Sequence, residues 1–143
     1  MAEAKDANTR VAQHAVRLGL EIDIREMDAS TRTAADAAQA CGCDVAQIVK
    51  SLVFRGATTA TPLLFLVSGR NRVNETAVAA EIGEGLQRPD ADDVRALTGF
   101  AIGGIPPFGH KSALRTFIDT DLMAYDTVWA AAGTPRSVFA VAP

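Results

Sequence analysis

The sequence predicts a single α/β (α+β) domain over residues 1–143, with a mixed β-sheet and helices packed around it. Three observations lead there. Stretches of helical and strand periodicity intermix along the chain instead of segregating into halves. Two strands, IVKSLVFRG and TPLLFLVSG, are separated by a polar turn at Gly56–Thr61 and read as a hairpin. The second of them is apolar nearly throughout, as a central strand covered on both faces should be. With 48% hydrophobic and 22% charged residues the chain has the balance of a globular protein with one core.

The elements follow in order. A helix is expected from Asp6 to Leu18, where Val11, Ala15 and Leu18 share a face and Gly19 ends it. EIDIREM alternates Ile22 and Ile24 as a strand, with Met27 out of phase. Thr33, with Asp36 three residues on, opens a helix whose small face is Ala34, Ala37, Ala38 and Cys41, stopped by Gly42. Asp44 caps a short turn through Val45 and Ile48, and the hairpin follows. Asn74 caps a helix with Val78, Ala79 and Ile82, closed by Gly83. Asp90 and Asp93 open another with Val94 and Leu97, closed by Gly99. After the loop FAIGGIPPFGH come a strand TFIDTDLM, a helical piece DTVWAAAG and a last strand SVFAVAP.

Charge and leader signals narrow the function. The net charge is −3, whereas proteins that grip long duplexes across many phosphates are usually basic. DNA binding is not expected, although contact with a few phosphates is compatible. No apolar run reaches the roughly eighteen residues of a membrane span, and the N-terminus lacks an apolar leader stretch. A cytoplasmic protein without membrane contact is expected. Cys41 and Cys43 are too close for a mutual disulfide and lack the partners of a zinc site, so they read as two buried or half-buried thiols with no metal.

Lys50 is the first candidate functional residue. Strand alternation puts it on one face with Ile48, Leu52 and Phe54, and Val49, Ser51 and Val53 on the other. An ammonium among large apolar side chains is either a pocket cation awaiting an anion or an edge-strand lysine that snorkels to water. The second candidate is the loop Gly103-Gly104-Ile105-Pro106-Pro107-Phe108-Gly109-His110. Its glycines allow close backbone approach, and amides of Gly103, Gly104, Ile105, Phe108 or Gly109 could face an oxyanion. A tight structural connection explains the same residues. GIPPFG followed by HKS nearly spells a phosphate-binding P-loop, but His110 breaks the spacing and prolines replace needed N–H groups. Gly133 and Pro135 suit a helix stop, and Thr134 offers a hydroxyl. No nucleophile elbow or triad is present, and a lone loop histidine is weak evidence for a base.

Taken together, STRTAADAA, IVKSLVF, VSGRNRVNE, GGIPPFGH and AAGTPRSVF resemble the YbaK/ProX-type aminoacyl-tRNA editing domain over nearly the whole chain. The resemblance implies a compact domain with a mixed, curved sheet surrounded by helices. It implies hydrolysis, without a cofactor, of the ester joining a mischarged small amino acid to the 3′ adenosine of tRNA, with tRNA for proline the usual territory. Lys50, Gly103 and Gly104 would be the catalytic set. Thr31, Ser51, Ser68, Gly69, Ile105, Pro106, Phe108, Gly109, His110, Gly133 and Thr134 would contact substrate. The partner would be the aminoacyl-tRNA acceptor end, with or without prolyl-tRNA synthetase. A non-catalytic module binding aminoacyl-tRNA or a nucleotide, and a hydrolase of other small acyl esters, are the competing expectations.

Overall fold

The computed structural model describes residues 2–143. In chain order these form α1 (Ala2–Arg17), β1 (Arg25–Glu26), α2 (Ala34–Cys41), β2 (Ile48–Gly56), β3 (Pro62–Ser68), α3 (Glu75–Ile82), β4 (Leu86–Gln87), α4 (Ala91–Thr98), β5 (Arg115–Ile118), β6 (Val128–Ala131) and β7 (Ser137–Val141). The strands make one mixed sheet in the order β1-β7-β6-β2-β3-β5, and β4 joins the far end of β2. The hairpin pairs β2 and β3 antiparallel from Val49↔Ser68 to Arg55↔Pro62, whereas β2–β6 and β3–β5 are parallel. No described helix is long and apolar enough to cross a membrane.

Alternation along the hairpin fills both faces. Val49, Val53 and Leu64 join one core with Val11 of α1, Phe100, Leu122 and Phe139. Phe54, Leu63, Phe65 and Val67 form a second core on the opposite face, where Phe65 meets Phe54 edge-on at 5.3 Å and stacks on Phe117 at 5.1 Å. Ala37 and Ala38 bring α2 close to Ile48, since small side chains permit close approach. The helix signals act as the sequence indicates. Thr33, Asn74 and Asp90 each accept the N–H three residues on, at 3.1, 3.1 and 2.8 Å.

Four elements differ from expectation. DTVWAAAG is not helical: residues 128–131 form β6, with Val128 and Ala130 buried and Trp129 and Ala131 half-buried. Its alanines favour a helix, but a two-residue alternation between β2 and β7 prevails over propensity. TFIDTDLM stops being a strand at Ile118, because the Asp119 carboxylate accepts the Asp121 N–H and caps a 3-10 turn over Thr120–Ala124. EIDIREM pairs with β7 only at Arg25 and Glu26, although Ile22 and Ile24 still pack on the core. The short β4 is absent from the sequence reading.

Candidate active site

The site lies where β2 lacks a partner. Gly69 donates to the Ile48 carbonyl and Gly56 to the Thr61 carbonyl, so even-numbered residues of β2 turn their backbone groups toward β3. Odd-numbered residues turn theirs to the other edge. There β6 pairs only with Ile48 and Val49, and β4 only with Arg55 and Gly56. The N–H and C=O of Ser51 and Val53 are left without a strand partner between them. Pro89, beyond β4, has no N–H with which to continue that ladder.

Two cavities open on this gap and share Lys50, Ser51, Leu52, Ile102 and Ile105. The first, about 310 Å³, is walled by Thr31, Ala34, Ala37, Ile48, Trp129 and Gly103 and is mostly apolar. The second, about 630 Å³, runs toward Arg72, Arg88 and Pro89.

Lys50 stands half-buried at their junction, with Val67 opposite it on β3. Its ammonium donates to the Asn71 carbonyl. Asn71 is fixed in turn, because its amide donates to Asp119 at 2.9 Å and to Asp121 at 2.7 Å. Burial, and next the Arg72 guanidinium, hold the Lys50 pKa below the ordinary lysine value, against an opposing pull from Asp119. The Asp119 carboxyl lies below its usual range: burial opposes this, and bonds from Asn71, Asp121 and Ser68 outweigh it. Ser51, the next residue, faces the other way. Its hydroxyl oxygen is buried and has no hydrogen-bond partner, the one such side-chain atom among the described residues.

Thr31 reaches the first cavity with both its N–H and its hydroxyl donated to the Pro135 carbonyl, at 2.6 and 3.0 Å. Gly103 lines the same cavity with φ +96°, against the stem of Arg32, whose Cγ would lie 2.7 Å from a Cβ placed there. Five of the residues singled out in the sequence therefore meet in one place: Thr31, Lys50, Ser51, Gly103 and Ile105.

The others take supporting positions outside both cavities. Gly104 is packed so tightly on the Thr134 backbone that a Cβ would lie 2.7 Å from it, and its N–H is donated to Ala101. Ser68 donates its hydroxyl to Ala46 at 2.7 Å, and a Cβ on Gly69 would meet the Val45 carbonyl at 2.3 Å, so this pair holds the end of the hairpin. Pro106 is buried and its carbonyl meets the His110 ring at 2.7 Å, which braces the loop. Burial holds the His110 pKa below the ordinary histidine value. Phe108 packs on Phe139 at 5.6 Å, and Gly109 lies against His14. Gly133 abuts Ala7 of α1, and the Thr134 and Ser137 hydroxyls bond at 2.6 Å. Burial pushes the Cys41 thiol up to about 11, so it is no thiolate nucleophile at neutral pH.

Sequence reasoning missed Arg32, Trp129, Ile102, Arg72 and Arg88 as lining residues. Trp129 was hidden by the helical assignment of its segment, and the alternation Val128–Ala131 was the available signal. Ile102 is 45% exposed, unusual for a large apolar side chain beside two cavities, and nothing in its local sequence marks it.

Comparison with known proteins places the fold in a family. The family model of the aminoacyl-tRNA editing domain matches residues 28–143. The uncharacterized protein YwhH of Bacillus subtilis (strain 168) is 28% identical over 133 residues, which are 93% of this chain and 84% of that one. A proline–tRNA ligase of Limosilactobacillus fermentum is 29% identical over 111 residues, 74% of this chain and 19% of the ligase. Among solved structures, a proposed trans-editing enzyme for prolyl tRNA synthetase superposes with TM-score 0.89 at 46% identity, covering 96% of this chain and 87% of that one. The hypothetical protein APE2540 superposes with TM-score 0.86 at 25% identity, covering 94% and 89%. With four-fifths of its length matched by the family model and its fold shared with these structures, the chain belongs to the aminoacyl-tRNA editing domain family.

Proposed function

We propose that this protein is a trans-editing deacylase that hydrolyses the ester between a mischarged small amino acid and the 3′ adenosine of tRNA, the tRNA being that for proline. The observation that carries it is the half-buried Lys50 on the wall of a small, mostly apolar cavity that Gly103 also lines. Family membership and the likeness to a proposed prolyl trans-editing enzyme support the same assignment.

In this mechanism the aminoacyl group enters the 310 Å³ cavity, where Ala34, Ala37, Ile48 and Trp129 leave room for a small side chain such as that of alanine, serine, threonine or cysteine. Lys50 holds the negatively charged nucleotide end by a charge-assisted bond and so fixes the ester. Water adds to the ester carbonyl carbon, and backbone N–H groups around Ser51 and Gly103 stabilise the oxyanion. The bond to the ribose 3′ oxygen then breaks. That oxygen takes up the proton released by the water, and the products are free amino acid and tRNA with a free 3′ hydroxyl. The first cavity presents no carboxylate or imidazole to serve as base, so a ribose hydroxyl of the substrate relays the proton.

The test is deacylation of proline tRNA mischarged with Ala, Ser, Thr or Cys, by wild type and by Lys50→Ala. Hydrolysis of one or a few members, reduced at least a hundredfold in the variant, is expected. A folded wild-type protein that hydrolyses none of them is a binding module instead, and a fully active variant places the chemistry elsewhere.

A further inference from the structure

The second cavity at the Lys50 junction has no role in the chemistry above. It is about 630 Å³, twice the size of the first, and its lining carries Arg72 and Arg88 besides Lys50, with Glu75 the one acid among the lining residues. Neither arginine is in an ion pair among the described residues, although Arg25, Arg55 and Arg70 are. The Arg88 guanidinium lies over the Phe54 ring, 5.2 Å from its centroid, and this aromatic contact keeps its charge at the cavity wall. Arg72 is close enough to Lys50 to lower its pKa by repulsion. Three cations thus surround one opening in a chain whose net charge is −3. Glu75 in the lining and Asp119 beside Lys50 offset only part of this charge, and Arg72 and Lys50 still repel one another.

We infer that this cavity is a binding site for RNA phosphodiesters, taking those that precede the 3′-terminal nucleotide while the amino acid occupies the first cavity. The inference rests on the editing reading and extends it. A small acyl ester could use the first cavity alone, but only a polynucleotide presents phosphates on the far side of Lys50. Planar guanidinium groups suit phosphate oxygens, and cations on a single strand act without reading sequence. The site would therefore select a charged RNA end over other esters.

Binding tests the site apart from hydrolysis. The probe is an uncharged acceptor-stem minihelix ending in single-stranded CCA, bound to wild type, Arg88→Gln, Arg88→Lys and Arg72→Gln/Arg88→Gln across a salt series. Expected are an affinity loss of about tenfold for Arg88→Gln and more for the double variant, with recovery in Arg88→Lys. The slope of log affinity against log salt should shrink by about 0.7 for each cation removed. Where the wild type deacylates, its preference for aminoacyl-minihelix over phosphate-free 3′-aminoacyl-adenosine should fall about tenfold in Arg88→Gln. Thermal melting of each variant separates these effects from unfolding. Affinity and salt slope unchanged in the folded double variant would overturn the inference, whatever the protein hydrolyses. A minihelix that binds through the arginines but is never deacylated when charged would leave this site standing and remove the editing reading.

Discussion

Replacing Ser51 with alanine should move stability and activity in opposite directions. The Ser51 hydroxyl oxygen is buried on the Val49–Val53 face of β2 without a hydrogen-bond partner. A buried hydroxyl left unpaired costs about 1–3 kcal/mol by the standard of protein substitutions. Alanine deletes the hydroxyl and almost no volume. Because Ser51 lies beside a cavity that water can enter, the lower end applies, a gain of about 1 kcal/mol. At roughly 2.1 cal/mol/K of unfolding entropy per residue, a chain of 143 residues has about 300 cal/mol/K, so the melting temperature should rise by about 3 °C. If substrate completes the missing bond, the same deletion removes about 1–2 kcal/mol from its bound state, a loss of roughly 5- to 30-fold in kcat/KM. Calorimetry and deacylation on the same preparations measure both. A variant that melts below wild type would mean that the hydroxyl is already satisfied in the free protein. Unchanged kcat/KM would mean that substrate never meets it.

Two further outcomes follow from neighbouring geometry. If the charged form of Lys50 is the active one, activity is lost as pH rises through its pKa, which is lowered first by burial and next by Arg72. Corrected for spontaneous ester hydrolysis, the wild-type rate should fall on the alkaline side, and any residual rate of Lys50→Arg should not; parallel profiles would reject Lys50 as the titrating group. Gly104→Ala forces a Cβ to within 2.7 Å of the Thr134 backbone, and overpacking of this kind costs about 1–3 kcal/mol. Its urea midpoint should fall accordingly, and a midpoint equal to wild type would show that the 133–135 segment yields freely.

The sequence makes the hairpin and helix ends legible because they are set locally. Alternation places Lys50 and Ser51 on opposite faces of β2, and side-chain caps at Thr33, Asn74 and Asp90 fix where helices begin. β6 was not legible, because Ala130 and Ala131 have helical propensity and only the strands on either side make them extended. Lys50 was visible as a cation out of place in an apolar strand. Arg72 and Arg88 were not, since exposed arginines are ordinary until a fold brings them to the cavity that this lysine also lines. The Gly103-Gly104 pair shows the same limit within one motif. The two are indistinguishable as sequence, yet Gly103 lines the cavity while Gly104 fits against Thr134.

The gap in β2 explains why these features coincide. Had β6 continued in register past Val49, its next residues would have taken the N–H and C=O of Ser51 and closed the space into which both cavities open. Had β4 extended toward Val53, Pro89 would still have offered no donor there. Neighbouring residues of a strand point to opposite faces, so within the unpaired stretch a single dipeptide supplies an ammonium on one side, a hydroxyl on the other and free backbone groups at the edge. A loop could present the same groups but would not hold them. Here Lys50 and Ser51 are clamped on their paired edge by the β3 ladder, between Phe54–Phe65 packing on one face and Val53–Leu64 packing on the other. Leaving backbone and hydroxyl groups unpaired costs the fold stability, and a ligand that bonds to them recovers it. The rigidity of the hairpin means that little of that recovered energy is spent on ordering the site.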